Sequence, residues 1–246
     1  MPLKEEFGVQ GNWLFRWRSY LPVLLITLLI PGIANFELLG NSETIHTIWV
    51  IFCIAISFLG LAIRIFTIGH TPKNTSGRNT SEQKASTVNS TGIYSTVRHP
   101  LYVGNFFMWF GIFLYVHSAW VAITFILVYW IYYERIMYAE EEFLRGKFGE
   151  MYEEWASKTP AFIPNFKTYV PPALSFSLRN VLKREYSGFF GVVFCFTLLE
   201  LIKNLIVEGR LTLSGGWVNF FTFGLIVYLV LRTLKRHTQI LHVEGR

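Results

Sequence analysis

The residue types that could do chemistry in this chain are concentrated in two short polar clusters. The first is Arg98-His99-Pro100-Leu101-Tyr102-Val103-Gly104-Asn105, where a polar loop gives way to an apolar helix. The second is Glu140-Glu141-Glu142, which directly follows a long apolar run. The first cluster offers cations, an imidazole and a phenolic hydroxyl, and the second offers carboxylates. We expect the two clusters to meet and to hold a charged small molecule between them.

The first cluster has the features of a helix start that binds a ligand. Pro100 suits the first position of a helix, where the missing N–H has no cost. The backbone N–H groups of residues 101–104 would then form a positive helix end that attracts an anion. Gly104 would let a ligand approach the backbone, while Tyr102 and His99 supply an aromatic face and a group of adjustable charge. These features together suit a zwitterion, although a helix start capped by polar residues is the alternative.

The second cluster places three carboxylates side by side at the end of an apolar run. Neighbouring residues of a helix point about 100° apart, so only one or two of Glu140, Glu141 and Glu142 can face one pocket. The alternative is a solvated collar at the membrane surface that attracts Arg135 or Arg145.

Charged residues also occur within predicted spans. Arg64 is costly in an apolar environment, so it should face a cavity or a partner, or extend to the nearby interface. Glu200 and Lys203 are three residues apart and should neutralise each other on one helix face, with contact to a substrate as the alternative.

The composition indicates an integral membrane protein. Hydrophobic residues make up 52% of the 246 residues and charged residues 15%, whereas soluble domains carry about 25% charged residues. The net charge of +6 is typical of cytoplasmic loops near anionic lipids and gives no reason to expect nucleic acid. Cys53 and Cys195 have neither disulfide nor metal-site spacing, so we expect buried thiols and no metal.

The apolar runs predict an all-α membrane domain over residues 1–246 with about six transmembrane helices. A tight helical hairpin is expected over 101–139, with His117-Ser118 as its turn, followed by an interfacial amphipathic helix over 140–158. The six predicted spans are 20–39, with a kink at Pro31-Gly32, 45–69, 101–116, 119–139, 186–207 and 217–231.

The distribution of Lys and Arg predicts the orientation. These residues are concentrated in alternate connecting segments, which places both termini and both polar clusters in the cytoplasm. Residues 70–96 form a polar loop. Its glycosylation sequons, at Asn74, Asn79 and Asn89, are then expected to be unused.

An ordered set of motifs resembles a known family. The set is Arg98-His99-Pro100-x-Tyr102-x-Gly104, then Glu140-Glu141-x-x-Leu144-x-x-x-Phe148-Gly149-x-x-Tyr152, then Pro160-x-x-Ile163-Pro164. It resembles the isoprenylcysteine carboxyl methyltransferase and phospholipid methyltransferase family over residues 60–164, leaving two spans in 185–246 outside. Trp155 and Ala161 depart from the family's usual Tyr and Arg. The run Thr75-Ser76-Gly77-Arg78-Asn79 is more similar to the bacterial branch, in which lipid A phosphate is one methyl acceptor.

The resemblance implies a membrane methyltransferase that uses S-adenosylmethionine and a lipid acceptor, with a bacterial inner membrane as the expected location. It implies cofactor contacts from one run of the first cluster and from the acidic pair: His99, Pro100, Tyr102, Val103, Gly104, Glu140 and Glu141. An anionic acceptor needs no base, so Arg98 and Arg64 are expected to orient the oxygen of a lipid phosphate. Prenylcysteine carboxylate and a phospholipid amine are the alternative acceptors, and the amine would need a base from the acidic cluster.

Two further classes of protein stay open at this point. One is a membrane protein without enzymatic activity that keeps the fold. The other is a reductase that binds a nicotinamide, because some sterol reductases share the core, although those chains carry more spans. The sequence does not indicate an oligomeric state.

Overall fold

A computed structural model describes residues 1–18, 20–38, 40, 42–72, 75, 83 and 85–246, and the all-α prediction is confirmed. Of the run from Thr75 to Asn79, only Thr75 is described, and Asn74 and Asn79 lie outside the described residues. The α-helices are α1 (Leu3–Trp17), α2 (Leu21–Leu24), α3 (Leu29–Ala34), α4 (Glu43–Gly69), α5 (Pro100–Leu114), α6 (Ala119–Phe148), α7 (Glu150–Lys158), α8 (Leu178–Glu208) and α9 (Gly215–His237).

Four helices, α4, α6, α8 and α9, are long and apolar enough to cross a membrane, in agreement with four of the six predicted spans. The other two are short apolar helices. At 1.5 Å per residue, the 15 residues of α5 extend about 22 Å, less than a hydrocarbon core of ~30 Å. The first predicted span is broken into α2, a 3-10 turn over Leu25–Leu28, and α3. That turn directly precedes the segment containing Pro31, which cannot donate to the carbonyl one turn earlier.

The prediction of a separate interfacial helix over 140–158 is wrong in its boundaries. Helix α6 continues without a break to Phe148, so the three glutamates lie in its last turns. The break comes at Gly149, whose φ of 53° favours glycine. The shorter α7 follows it and ends at Lys158. The carboxylates are therefore fixed on a long, rigid helix.

Helix α1 crosses the same end of α6. A Cβ on Gly11 would meet the Arg135 carbonyl oxygen and the Ala139 Cβ, at 2.8 Å in the latter case. The side chain of Lys4 lies 3.6 Å from Glu142. This crossing brings Arg18, just beyond the end of α1, close to the acidic cluster.

Helices α4 and α5 approach each other through glycines. An ideal Cβ on Gly104 would lie 2.8 Å from the Gly60 carbonyl oxygen, which is the close packing of small residues common between membrane helices. Helix α8 packs against α4 and α5, and α9 packs against α8. At the other end of α5, residues 115–118 complete the predicted hairpin with α6.

The buried Glu200 and Lys203 form the predicted ion pair, at 2.8 Å between Oε1 and Nζ. Tyr115 donates its hydroxyl to the other carboxylate oxygen of Glu200 at 2.6 Å. This pair lies near the hairpin turn between α5 and α6, at the opposite end of α5 from His99.

Candidate active site

The start of α5 is held in place by the proline-rich segment that follows α7. The N–H groups of Arg98 and His99 donate to the carbonyls of Pro160 and Ala161, at 2.8 and 3.2 Å. The N–H of Asn165 donates back to the Thr96 carbonyl at 2.9 Å. Pro100 is the first residue of the helix, as predicted. These hydrogen bonds join two motifs that are distant in the sequence, because the motif that begins at Pro160 holds the motif that begins at Arg98 in position.

The two polar clusters meet, as predicted. His99 Nε2 lies 2.9 Å from Glu141 Oε1, and its Nδ1 lies 3.5 Å from Glu140 Oε2. Tyr102 donates its hydroxyl to Glu140 Oε1 at 2.7 Å. Both ring nitrogens of His99 therefore face carboxylates, and the imidazole can satisfy both only as a protonated double donor.

Two arginines neutralise the carboxylates, one from the first cluster and one from just beyond the end of α1. Arg98 Nε lies 2.9 Å from Glu141 Oε1, and its Nη1 donates to the Ala156 carbonyl at 2.7 Å. Arg18 Nη1 donates to Glu140 Oε1 at 3.3 Å. Glu142 points elsewhere, toward Lys4 and Arg145.

The carboxylates change the acid–base behaviour of His99, which is only 8% exposed. Burial alone lowers the pKa of an imidazole, because it disfavours the charged form. Here the hydrogen bonds and charges of Glu140 and Glu141 outweigh burial, and the pKa of His99 is raised above its usual value.

A cavity of about 470 Å³ lies beside this cluster. This volume is within the range of small-molecule sites. Its wall combines carboxylate, imidazole and aromatic groups with several guanidinium groups. The polar and aromatic lining includes Arg18, Arg64, Tyr94, Arg98, His99, Tyr102, Asn105, Tyr133, Glu140, Trp155 and Arg184.

Four of the seven residues expected to contact a cofactor lie on this wall: His99, Pro100, Tyr102 and Glu140. Val103, Gly104 and Glu141 are outside the set of described residues that line it. Glu141 instead bonds the far nitrogen of His99, and Gly104 faces α4, where an ideal Cβ would lie 2.5 Å from Arg64 Cγ. The space that Gly104 leaves is used by a neighbouring helix and not by the cavity.

The helix end also offers fewer free donors than predicted. The N–H groups of Tyr102 and Val103 both donate to the His99 carbonyl, at 3.0 and 3.2 Å. The prediction of free N–H groups throughout 101–104 is therefore wrong, because His99 already accepts the first bonds of the helix.

Arg64 and Arg98, the two residues expected to orient the acceptor, both line the cavity. Arg64 donates from Nε and Nη2 to the two oxygens of Glu185, at 2.7 and 2.8 Å, and from Nη1 to Asn105 Oδ1 at 2.7 Å. It does not extend to the interface but is held between three helices.

Sequence reasoning missed several residues of the site, above all Arg18, Tyr133 and Glu185. An arginine within a span signals that a counter-charge exists, but the signal does not distinguish Glu185 from other carboxylates. The ring of Tyr133 lies 4.7 Å from that of Tyr102 and 4.2 Å from that of Tyr129, so the cavity has an aromatic side. In the part of the chain that the structure describes, no group of three or more His, Cys, Asp and Glu side chains could hold a metal ion.

Comparison with known proteins identifies the core of this fold. A family model described as phospholipid methyltransferase matches residues 48–151. The chain is 39% identical over 74 residues to a protein-S-isoprenylcysteine O-methyltransferase of Schizosaccharomyces pombe, covering 30% of the chain and 31% of that protein. It is 39% identical over 75 residues to protein-S-isoprenylcysteine O-methyltransferase B of Arabidopsis thaliana, covering 30% of the chain and 37% of that protein.

A longer alignment relates the chain to the nickel-cobalt-cadmium resistance protein NccN of Alcaligenes xylosoxydans xylosoxydans. The two are 28% identical over 196 residues, which cover 76% of the chain and 83% of NccN. No solved structure matches the chain. The matched residues include both polar clusters, and each cluster contributes side chains to the cavity wall. Residues 48–151 therefore match the phospholipid methyltransferase family, and part of the chain is similar to protein-S-isoprenylcysteine O-methyltransferases, which supports a membrane methyltransferase of this type.

Proposed function

We propose that this protein transfers a methyl group from S-adenosylmethionine to an oxygen of an anionic lipid headgroup, with a lipid phosphate such as the 1-phosphate of lipid A as the first candidate. The observation that carries the proposal is the composition of one cavity wall. Glu140, His99 and the aromatic rings lie on the same wall as Arg64 and Arg98. A cationic methyl donor and an anionic acceptor would each find complementary groups there.

The residues present fit the cofactor. The cavity of about 470 Å³ has room for a ligand of its size. Glu140 would bind its ammonium group or ribose hydroxyls, and the faces of Tyr102 and Tyr133 would lie near its cationic centre. Leu101 at the helix start also lines the cavity, and its N–H would suit the cofactor's carboxylate. When bound, the cofactor supplies an electrophilic methyl group on a sulfonium.

The protein's own contribution to the reaction would be alignment and exclusion of water. Arg64 and Arg98 would bind the acceptor oxygen and orient it toward the methyl group, and such alignment can contribute several kcal/mol. A phosphate or carboxylate oxygen is already anionic, so no side chain has to remove a proton. A phospholipid amine would need a base, whereas Glu140 and Glu141 are both engaged by arginine and histidine.

A prenylcysteine carboxylate is the second candidate acceptor. The similarity to protein-S-isoprenylcysteine O-methyltransferases favours it, and a carboxylate has the same anionic oxygen chemistry as a phosphate. The arginines on the cavity wall suit either acceptor.

The proposal includes a location. We expect a bacterial inner membrane, with the cavity and both termini on the cytoplasmic side. Helix α1 crosses the same end of α6 that carries Glu140, and Arg246 Nη1 donates to the Gly69 carbonyl at the corresponding end of α4, at 2.9 Å.

The test uses purified protein and S-adenosylmethionine with a radiolabelled methyl group. Separate reactions contain vesicles with phosphatidic acid, a farnesylated cysteine, or vesicles with phosphatidylethanolamine, and calorimetry measures cofactor binding. We expect binding, with label in phosphatidic acid or farnesylcysteine, and these two arms distinguish the candidates. Label confined to phosphatidylethanolamine would contradict transfer to an anionic oxygen. Absence of cofactor binding would contradict the proposal as a whole.

A further inference from the structure

We propose that Glu185 of α8 is a positioning residue for methyl transfer. It would hold the Arg64 guanidinium at the cavity wall so that the remaining N–H groups of Arg64 bind the anionic oxygen of the acceptor. This inference rests on the proposed function and extends it to a part of the chain outside the matched methyltransferase core. It also gives helix α8, which follows that core, a role in the reaction.

Glu185 and Asn105 hold the Arg64 guanidinium in place but leave part of its donor groups unused. An arginine has five N–H donors, and Glu185 and Asn105 engage three of those of Arg64. One N–H on each terminal nitrogen is left by these bonds. Because Arg64 also lines the cavity, a bound oxygen could accept from this pair as a second, bidentate partner.

Packing fixes this arrangement from several sides. The aliphatic part of Arg64 lies against Gly104, where any larger residue would collide with it. The Glu185 side chain is only 3% exposed. One turn further along α8, Gly188 faces Met108, the Leu61 side chain and Glu185 itself, all between 3.5 and 3.8 Å from an ideal Cβ. A guanidinium held this way loses little entropy when it binds a ligand.

The position of Glu185 in the chain makes the inference specific. The family match ends at residue 151, and α8 begins at Leu178. Arg64 and Asn105 thus belong to the core, while the carboxylate that pairs with Arg64 comes from the C-terminal part. Arg184, the neighbouring residue, also lines the cavity. A helix that served only to enlarge the bundle would not need either charge at this end.

The same helix provides a matched control. Glu200 is also a buried carboxylate of α8 in an ion pair, with Lys203, but it lies near the hairpin turn of α5 and α6. Glu185→Gln and Glu200→Gln therefore make the same chemical change in similar surroundings. Only the first is expected to change how the acceptor binds.

The experiment measures kcat, the KM of the acceptor and the Kd of S-adenosylmethionine for both variants. The acceptor is phosphatidic acid in vesicles or farnesylcysteine, whichever the unmodified protein methylates. For Glu185→Gln we expect the acceptor KM to rise at least about tenfold, which is about 1.4 kcal/mol, with the cofactor Kd within about twofold. For Glu200→Gln we expect a lower melting temperature with the acceptor KM within about twofold of the original.

Two further variants cover the case in which Glu185→Gln does not fold. Glu185→Asp keeps the charge but retracts it by one methylene, so its acceptor KM should lie between those of the original and the Gln variant. The second is the double variant Arg64→Ala with Glu185→Ala, which removes both charges and so avoids an unpaired buried ion. Its acceptor KM should equal that of Arg64→Ala alone, because Glu185 acts through Arg64.

The outcomes separate this inference from the proposed function. Cofactor binding and methyl transfer by the unmodified protein, with an acceptor KM that Glu185 variants leave within about twofold, would overturn the positioning role alone. A further rise in KM when Glu185 is removed after Arg64 would overturn it as well. Absence of both cofactor binding and methyl transfer in the unmodified protein would overturn the proposed function and this inference with it.

Discussion

At the scale of single residues, His99 lies at the centre of the ion pairs in the candidate site. Its two nitrogens face carboxylates from the same helix, and each carboxylate also contacts an arginine. The three consecutive glutamates are therefore not equivalent. Glu140 lines the cavity, Glu141 contacts His99 and Arg98, and Glu142 faces Lys4 and Arg145.

This difference predicts a graded response to three identical substitutions. Glu140→Gln should weaken S-adenosylmethionine binding at least about tenfold, because it removes a charge from the cavity wall. Glu141→Gln should have a smaller effect, exerted through His99. Glu142→Gln is the control and should stay within about twofold, since its partners are near the surface. Calorimetry on the three proteins measures the affinity for S-adenosylmethionine. Equal losses of affinity in the Glu140 and Glu142 variants would contradict the assignment of Glu140 to the cavity wall.

The raised pKa of His99 predicts a pH dependence of stability. A histidine whose pKa is higher in the folded protein stabilises it fully below its unfolded pKa of about 6.5. That contribution is lost as the pH rises through the folded pKa. The groups that face this imidazole are Glu140 and Glu141, with Arg98, Arg18 and the Tyr102 hydroxyl bonded to those carboxylates.

The measurement compares melting temperatures of the original protein and His99→Gln between about pH 6 and about pH 9. The wild-type protein should be more stable than His99→Gln near the lower pH limit, and the difference in melting temperature should shrink toward the upper pH limit. Titration of other groups affects both proteins alike and cancels in the comparison. A difference that grows with pH would show that neutral histidine is the stabilising form.

At the scale of elements, the site depends on how closely α5 approaches α4. Helix α5 is about 22 Å long, which is shorter than a hydrocarbon core of ~30 Å. Contacts with longer helices fix its position. Gly60 and Gly104 allow the backbones of α4 and α5 to approach closely, and in the same contact the side chain of Arg64 packs against α5. The start of α5 is fixed independently by hydrogen bonds to Pro160 and Ala161.

Substitution of Gly104 should therefore destabilise the protein. Gly104→Ala places a Cβ 2.8 Å from the Gly60 carbonyl oxygen and 2.5 Å from Arg64 Cγ, and overpacking of this kind costs about 1–3 kcal/mol. Gly191→Ala in α8 is the control, because nothing lies within 4 Å of its ideal Cβ, and a helical Gly→Ala change normally stabilises. Thermal denaturation in detergent measures both. Equal melting temperatures for the two variants would argue against a close contact between α4 and α5.

At the scale of the whole molecule, segments on both sides of the matched core complete the site. Arg18 comes from the end of α1, and Glu185 from α8. The core contributes the motifs, while the flanking helices contribute charges that no motif in the core contains. The far end of the molecule holds a separate buried ion pair, Glu200 and Lys203, which serves the packing of α8 against Tyr115.

The arrangement predicts the topology of the termini. Because α1 and Arg246 both contact the end of the bundle that carries the cavity, tags on the two termini should be accessible from the same side of the membrane. Protease digestion of right-side-out and inverted inner-membrane vesicles tests this, with both tags cleaved only in the inverted vesicles. Cleavage of the tags in opposite preparations would contradict it.

The features that depend on local chemistry and periodicity could be predicted from the order of residues alone. Apolar runs predicted the membrane class and the four long helices, and the ordered motifs around His99 and Glu140 predicted the family resemblance. The start of α5 at Pro100 and the pairing of Glu200 with Lys203 also followed, because both depend on residues close together in the chain.

Which residues share the cavity depends on contacts between segments that are far apart in the chain. The partner of Arg64 is Glu185, 121 residues away, and the arginine beside Glu140 is Arg18, 122 residues away. The continuation of α6 through the glutamates and the use of Gly104 for helix packing were likewise not visible in the sequence. Contacts between helices depend on how whole helix faces fit together. The residues around one position in the sequence do not indicate which distant face will pack against it.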